Sequence, residues 1–123
     1  MKEQNKIGLI VDDDYYSYVY INELLHIVKP NLKTVHVKNG LKAVDLCKSL
    51  SDIGVILMDI RMPKMDGIEA IIQIRKIMPD VPIIIQTAFS EEKLVTLNHL
   101  KCNEILRKPI NGDIFCNIIE KYL

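Results

Sequence analysis

The chain has 123 residues, of which 49% are hydrophobic and 26% charged. That length predicts a single domain over residues 1–123 with a real core, and that composition excludes a disordered chain. Sixteen basic residues against sixteen acidic ones leave no formal net charge, which argues against nucleic acid as a partner of this domain.

Residues 1–6 are polar and expected to be flexible. Ile7-Gly8-Leu9-Ile10-Val11 reads as a short buried strand that ends in three acids, Asp12, Asp13 and Asp14. A helix follows from Tyr15 to Val28, with Tyr16, Tyr20, Leu24 and Ile27 or Val28 expected on its inner stripe, and Lys29-Pro30 stops it. Thr34-Val35-His36-Val37 is a second strand, and Asn39-Gly40 turns the chain into a helix lasting to about Leu50. Val55-Ile56-Leu57-Met58 is an apolar strand that ends on Asp59, followed by a loop holding Pro63 and Gly67. The next helix carries Ile68, Ile71, Ile72, Ile74 and Met78 and stops at Pro79. Pro82 to Thr87 is a fourth strand, with proline where a ladder donor can be spared. Ser90 predicts the cap of a helix reaching Leu100, and Glu104 to Arg107 a fifth strand before Lys108-Pro109. Asn111 or Asp113 could cap the last helix, whose Phe115, Ile118, Ile119 and Tyr122 fall at helical spacing.

Five strands alternating with five helices predict an α/β fold. Right-handed crossovers then give a parallel five-stranded sheet, doubly wound in the order 2-1-3-4-5 of a flavodoxin-like sandwich. The three cysteines, Cys47, Cys102 and Cys116, have no metal-ligand spacing and read as reduced thiols. No apolar run approaches a membrane span, so the expectation is a soluble cytoplasmic domain with no membrane partner.

In that topology the carboxyl ends of the strands converge. They bring together Asp12, Asp13, Asp59, Thr87 and Lys108. Clustered carboxylates repel one another unless a cation lies between them, and oxygen donors suit a hard divalent ion such as Mg²⁺. Acids, a lysine and a hydroxyl together make a receptor for a phosphoryl group. Asp59 can be the nucleophile that receives it, as an aspartyl phosphate.

Four motifs then stand in order, each at a strand end: Leu9-Ile10-Val11-Asp12-Asp13-Asp14, Leu57-Met58-Asp59 through Asp66-Gly67, Ile85-Gln86-Thr87-Ala88 and Arg107-Lys108-Pro109. On these the chain resembles the receiver domain of two-component response regulators. The resemblance implies that Asp59 is the phosphoacceptor and that Asp13 holds Mg²⁺ directly, with Asp12 holding it through water. It implies that the backbone carbonyl of Arg61 completes the metal set, that Thr87 and Lys108 meet the phosphoryl oxygens, and that the Lys108-Pro109 peptide is cis. The implied partner is a histidine kinase or a histidine phosphotransfer domain. An output domain or a second receiver is expected on the face of helix 4, strand 5 and helix 5. Such a domain is a signalling phosphoacceptor rather than an enzyme, and it can equally be one part of a hybrid histidine kinase.

The chain departs from the family pattern at Ile105, where an aromatic ring is usual, and at Lys101-Cys102, where Gly-Ala is common. Arg61 and Phe89 flank the site, where similar domains tune how water reaches the acyl phosphate. An alternative reading is a non-phosphorylated interaction module on the same fold, which would be expected to lack an acid, Thr87 or Lys108. An aspartate-nucleophile hydrolase would place an acid where Arg61 stands. A flavin carrier would need a phosphate loop where Asp12 to Asp14 would repel phosphate. Asp14 reads as a surface or helix N-terminal acid favoured by the helix dipole, Asp66 as a cap or loop residue, and His26, His36 and His99 as residues without a functional role.

Overall fold

The computed structural model describes residues 6–62 and 64–123. The expected loose start thus lies, except for Lys6, outside the described residues, as does Pro63. The strands are β1 (Ile7–Val11), β2 (Lys33–Val37), β3 (Ile53–Asp59), β4 (Ile83–Thr87) and β5 (Glu104–Arg107). The helices are α1 (Tyr15–Val28), α2 (Gly40–Ser49), α3 (Gly67–Ile77), α4 (Glu91–Leu94) and α5 (Gly112–Tyr122). All pairings are parallel, and the strand order is β2-β1-β3-β4-β5, as predicted.

Alternation along each central strand builds two cores. Leu9, Val11, Ile56, Met58, Ile83 and Ile85 face α2 and α3, where Val44, Ala70, Ile71 and Ile74 meet them. Ile10, Leu57 and Ile84 face the other way, against Ile21 and Leu25 of α1 and Phe115 and Ile119 of α5. β1, β3 and β4 are buried along their whole length. This is why they read as continuous apolar runs rather than alternating ones.

Each helix starts on a side chain that accepts a main-chain N–H three residues on: Asp14 from Ser17, Asn39 from Lys42, Asp66 from Glu69, Ser90 from Lys93 and Asn111 from Ile114. Such caps contribute about 1 kcal/mol each. Of the two candidates for α5, Asn111 is therefore the cap, and Asp113 lies in the first turn.

Two expectations need correction. The buried face of α1 is Ile21, Leu24 and Leu25, whereas Tyr16 is 80% exposed and Tyr20 and Ile27 face outward. Branched aliphatic side chains take the core because a buried tyrosine must still satisfy its hydroxyl. The Tyr20 hydroxyl does so at the surface, donating to the Ile110 carbonyl at 2.9 Å. The fourth helix also ends early, at Leu94, and continues only as a 3₁₀ turn over Val95–Leu97. Val95 and Thr96 are stiff at χ1, and the Thr96 hydroxyl donates to the Lys93 carbonyl at 2.6 Å, competing with the helix ladder. Beyond it, Arg75 of α3 ties the segment before β5 to the segment before β4. Its Nη1 donates to the Val81 carbonyl at 2.6 Å, and its Nη2 donates to Asn103 Oδ1 at 3.1 Å.

Gly67 shows how closely the fold is drawn around Asp59. Its N–H donates to the Ile60 carbonyl at 2.8 Å, and a Cβ there would collide with the main-chain carbonyl of Asp59. Gly67→Ala is expected to destabilise the fold by about 2 kcal/mol, because backbone rather than a flexible side chain would have to move. Urea denaturation of the two proteins checks this.

Candidate functional site

β1 and β3 lie side by side, so their carboxyl ends place Asp12 and Asp59 on the same rim. β5 reaches that rim from the far side of β4, and Lys108 leaves it with its main-chain N–H donating to the Thr87 carbonyl at 2.7 Å. The Lys108 side chain then returns over the sheet. Its Nζ is 3.6 Å from Asp12 Oδ2 and 3.6 Å from Asp59 Oδ2, a single cation between two acids. The Lys108-Pro109 peptide is cis, as the resemblance implied.

Asp12, Asp13 and Asp59 each offer a carboxylate oxygen within 4.8 Å of the others. Asp12 is fully buried and Asp59 is 8% exposed, whereas Asp13 is open to solvent. Burial pushes the Asp59 carboxyl up to about 6; the Lys108 cation opposes the rise and the Asp12 charge adds to it. Asp12 is raised as well, mainly by burial, although its carboxylate accepts the Asp14 N–H at 2.9 Å. Its other oxygen, Oδ2, is buried with no hydrogen-bond donor. A buried oxygen with no hydrogen bond, facing only the Lys108 ammonium at 3.6 Å and standing beside two further carboxylates, is what a hard divalent cation satisfies, so these residues fit Mg²⁺.

Thr87 is buried at the end of β4, one residue beyond the Gln86 that pairs in register with Asp59. Its Oγ1 accepts the Phe89 N–H at 3.1 Å, which leaves the hydroxyl proton free to be donated. Arg61 leaves β3 with its guanidinium 5.6 Å from the centre of the Phe89 ring, and Lys93 Nζ lies 5.5 Å from that centre. Two cations therefore hold one aromatic ring beside the rim. Asp14, read as a surface or helix N-terminal acid, and Asp66, read as a cap or loop residue, are both helix N-caps, and the expected residues Asp12, Asp13, Asp59, Thr87 and Lys108 all stand at neighbouring strand ends.

Two residues beside the site went unassigned in the sequence. Gln86 is 2% exposed on the strand next to Asp59. Its signal was a lone carboxamide next to the end of an otherwise apolar strand, one residue before Thr87. His36, read as having no role, approaches Asp12 from β2. Its position one residue before the end of a neighbouring strand was the only hint, and strand alternation alone does not reveal where the ring turns.

Comparison with known proteins agrees with this fold. The family model for the response regulator receiver domain matches residues 9–120. The chain is 32% identical over 121 residues to "Sporulation initiation phosphotransferase F" of Bacillus subtilis, covering 97% of this chain and 94% of that protein. It is 32% identical over 117 residues to "Chemotaxis protein CheY" of the same organism, covering 94% and 95%. Other relatives are far longer, and the chain spans 21% and 11% of two of them. Among solved structures, the receiver domain of sensor histidine kinase PA1611 from Pseudomonas aeruginosa, with magnesium coordinated in its active-site cleft, superposes with a TM-score of 0.84. That structure is 26% identical, with 96% of this chain and 97% of that chain covered. The match runs from the first strand to the last helix and takes in every residue of the acidic rim: this chain belongs to the response regulator receiver domain family.

Proposed function

We infer that Asp59 is the phosphoacceptor of this receiver domain and that its partner is the phosphohistidine of a histidine kinase or phosphotransfer domain. The observation that carries the reading is Lys108 Nζ at 3.6 Å from both Asp12 and Asp59, over a trio of carboxylates. In the transfer, an Asp59 carboxylate oxygen forms the new P–O bond while the P–N bond to the donor imidazole breaks. The bond's electron pair returns to the ring nitrogen. Asp12, Asp13, Asp59 and the main-chain carbonyl of Arg61 would hold Mg²⁺. When bound, the ion neutralises the carboxylate charge and screens the incoming phosphoryl oxygens.

Lys108 keeps one positive charge where the phosphoryl charge arrives, and the free Thr87 proton donates to a phosphoryl oxygen. The phosphorylated state gains these contacts and the unmodified state does not, so phosphorylation biases a two-state element. Ile105 stands half-buried against the α2–α3 core where the family commonly has an aromatic switch residue. The signal therefore passes through Thr87 and the short α4 without a swinging ring. The output surface is α4, β5 and α5, open to an output domain or to a second receiver. Phe89, held between Arg61 and Lys93, shields the acyl phosphate from water and slows its hydrolysis.

We place the domain in the cytoplasm as a single unit over residues 1–123. The three cysteines are free thiols, and among the described residues no helix is long and apolar enough to cross a membrane.

Intact-mass spectrometry after incubation with acetyl phosphate tests the reading. One phosphoryl adduct that requires both Mg²⁺ and Asp59, and is absent from Asp59→Ala, is the expected result. No adduct under any condition, together with a silent Mg²⁺ titration, would leave an interaction module on the same fold.

A further inference from the structure

β2 grips Asp12 through both of its main-chain groups. The Asp12 N–H donates to the Val37 carbonyl at 3.1 Å, and His36 Nε2 lies 2.8 Å from the Asp12 carbonyl oxygen. A carbonyl only accepts, so Nε2 carries the proton and donates, in the neutral ring and in the cation alike. The ring itself is fixed from above. It lies flat on Tyr18 of α1, with centroids 3.9 Å apart and the planes 2° from parallel. Tyr18 is in turn half-buried and packed against the α1–α5 core. A partly buried imidazole thus bridges β2, the end of β1 and the first turns of α1.

The Asp12 carbonyl shares one rigid peptide plane with the Asp13 N–H. Holding that oxygen therefore sets the direction in which Asp13 leaves the strand. On its other side Asp12 is fixed by its carboxylate, which accepts the Asp14 N–H at 2.9 Å. The bond from His36 restrains rotation of the peptide between the first two acids, and so the direction from which the Asp13 carboxylate approaches the other two.

We propose that His36, seated on Tyr18, is a positioning residue for the divalent cation. It locks the Asp12–Asp13 peptide so that Asp12, Asp13 and Asp59 present their oxygens to one ion. This rests on reading that trio as the Mg²⁺ site. His36 touches neither the ion nor the phosphoryl group, so its effect is on metal affinity first and on phosphoryl transfer only through it.

Calorimetric titration of Mg²⁺ into wild type, His36→Ala, His36→Gln and Tyr18→Leu tests this at a fixed pH, with each fold checked by circular dichroism. His26→Ala serves as the control. That ring also contacts main-chain carbonyls, those of Asn22 and Leu32, both at 2.8 Å, but at the far end of α1. His36→Ala is expected to bind Mg²⁺ about tenfold more weakly, as loss of an outer partner of a metal ligand does. His36→Gln keeps an N–H donor at similar reach and is expected to recover most of the affinity. His26→Ala is expected to lower the melting temperature without changing the Mg²⁺ affinity. Wild-type affinity in His36→Ala overturns the proposal, as does an equal loss in His26→Ala. Should His36→Ala not fold, Tyr18→Leu decides: a several-fold loss supports the role of the stack and no loss overturns it. A wild-type protein that does not bind Mg²⁺ overturns the reading of the site itself, a failure distinct from that of His36 alone.

Discussion

Asp59→Asn is expected to accept no phosphoryl group and, in the absence of metal, to melt at a higher temperature than the wild type at pH 7. The amide keeps the shape of the carboxyl but is not a nucleophile for phosphorus. The gain in stability follows from the sign of the Asp59 shift. Burial lifts its folded-state value from 3.8 to about 6, with the Asp12 charge adding to the rise against the pull of Lys108. The folded protein therefore holds the proton more tightly than the unfolded chain. The stability this contributes is complete below 3.8 and is lost as the pH rises through about 6. At pH 7 the ionised carboxylate costs on the order of 2 kcal/mol, or roughly 8 °C for a domain of this size, and asparagine removes that cost.

Two dependences separate this explanation from a general effect of the substitution. The difference between Asn and wild type should shrink as the pH falls from 7 towards 5, because the wild type regains its proton. It should also shrink on adding Mg²⁺ at pH 7, because only the wild type has the full set of three carboxylates to be neutralised. Thermal melts with a chelator, and with Mg²⁺, at the two pH values measure both. An Asp59→Asn protein no more stable than wild type at pH 7 would mean that Lys108 already neutralises the site.

Lys108→Met is expected to separate metal binding from phosphoryl transfer. Lys108 is the cation shared by Asp12 and Asp59 at 3.6 Å from each. Methionine keeps much of the stem and removes the charge, so the packing beside Pro109 is largely retained. Acceptance from acetyl phosphate should fall by about 100-fold, the usual cost of losing one preorganised partner of a developing phosphoryl or oxyanion charge. Mg²⁺ affinity should be kept or increased, since a positive charge that competed with the ion is gone. A variant that loses metal binding in parallel with transfer would show Lys108 to be a structural support of the acidic rim instead.

The order and type of the elements were legible because each is a local property. β1, β3 and β4 are buried on both faces, so Ile7–Val11, Val55–Met58 and Ile83–Ile85 are apolar without alternation, and the five caps are single polar residues at their helix starts. Alternation of strands and helices leaves one economical topology, and that topology alone sends Asp12, Asp13, Asp59, Thr87 and Lys108 to adjacent strand ends. The acidic rim could therefore be named from the chain by itself.

Other features depend on what meets in space. Which stripe of α1 turns inward was decided by the match of Ile21 and Leu25 to Ile10 and Phe115, not by the recurring tyrosines. The early end of α4 came from a hydroxyl competing for a carbonyl, a balance that helical spacing does not register. That Lys108 lies between Asp12 and Asp59, and that His36 takes the Asp12 carbonyl under Tyr18, are meetings of residues far apart in the chain. Sequence by itself determined which groups reach the rim, because hydrophobic period and strand order are set locally. Only the tertiary structure decided which of them hold one another, because a hydrogen bond or ion pair depends on differences in separation of about a few tenths of an ångström that packing alone determines.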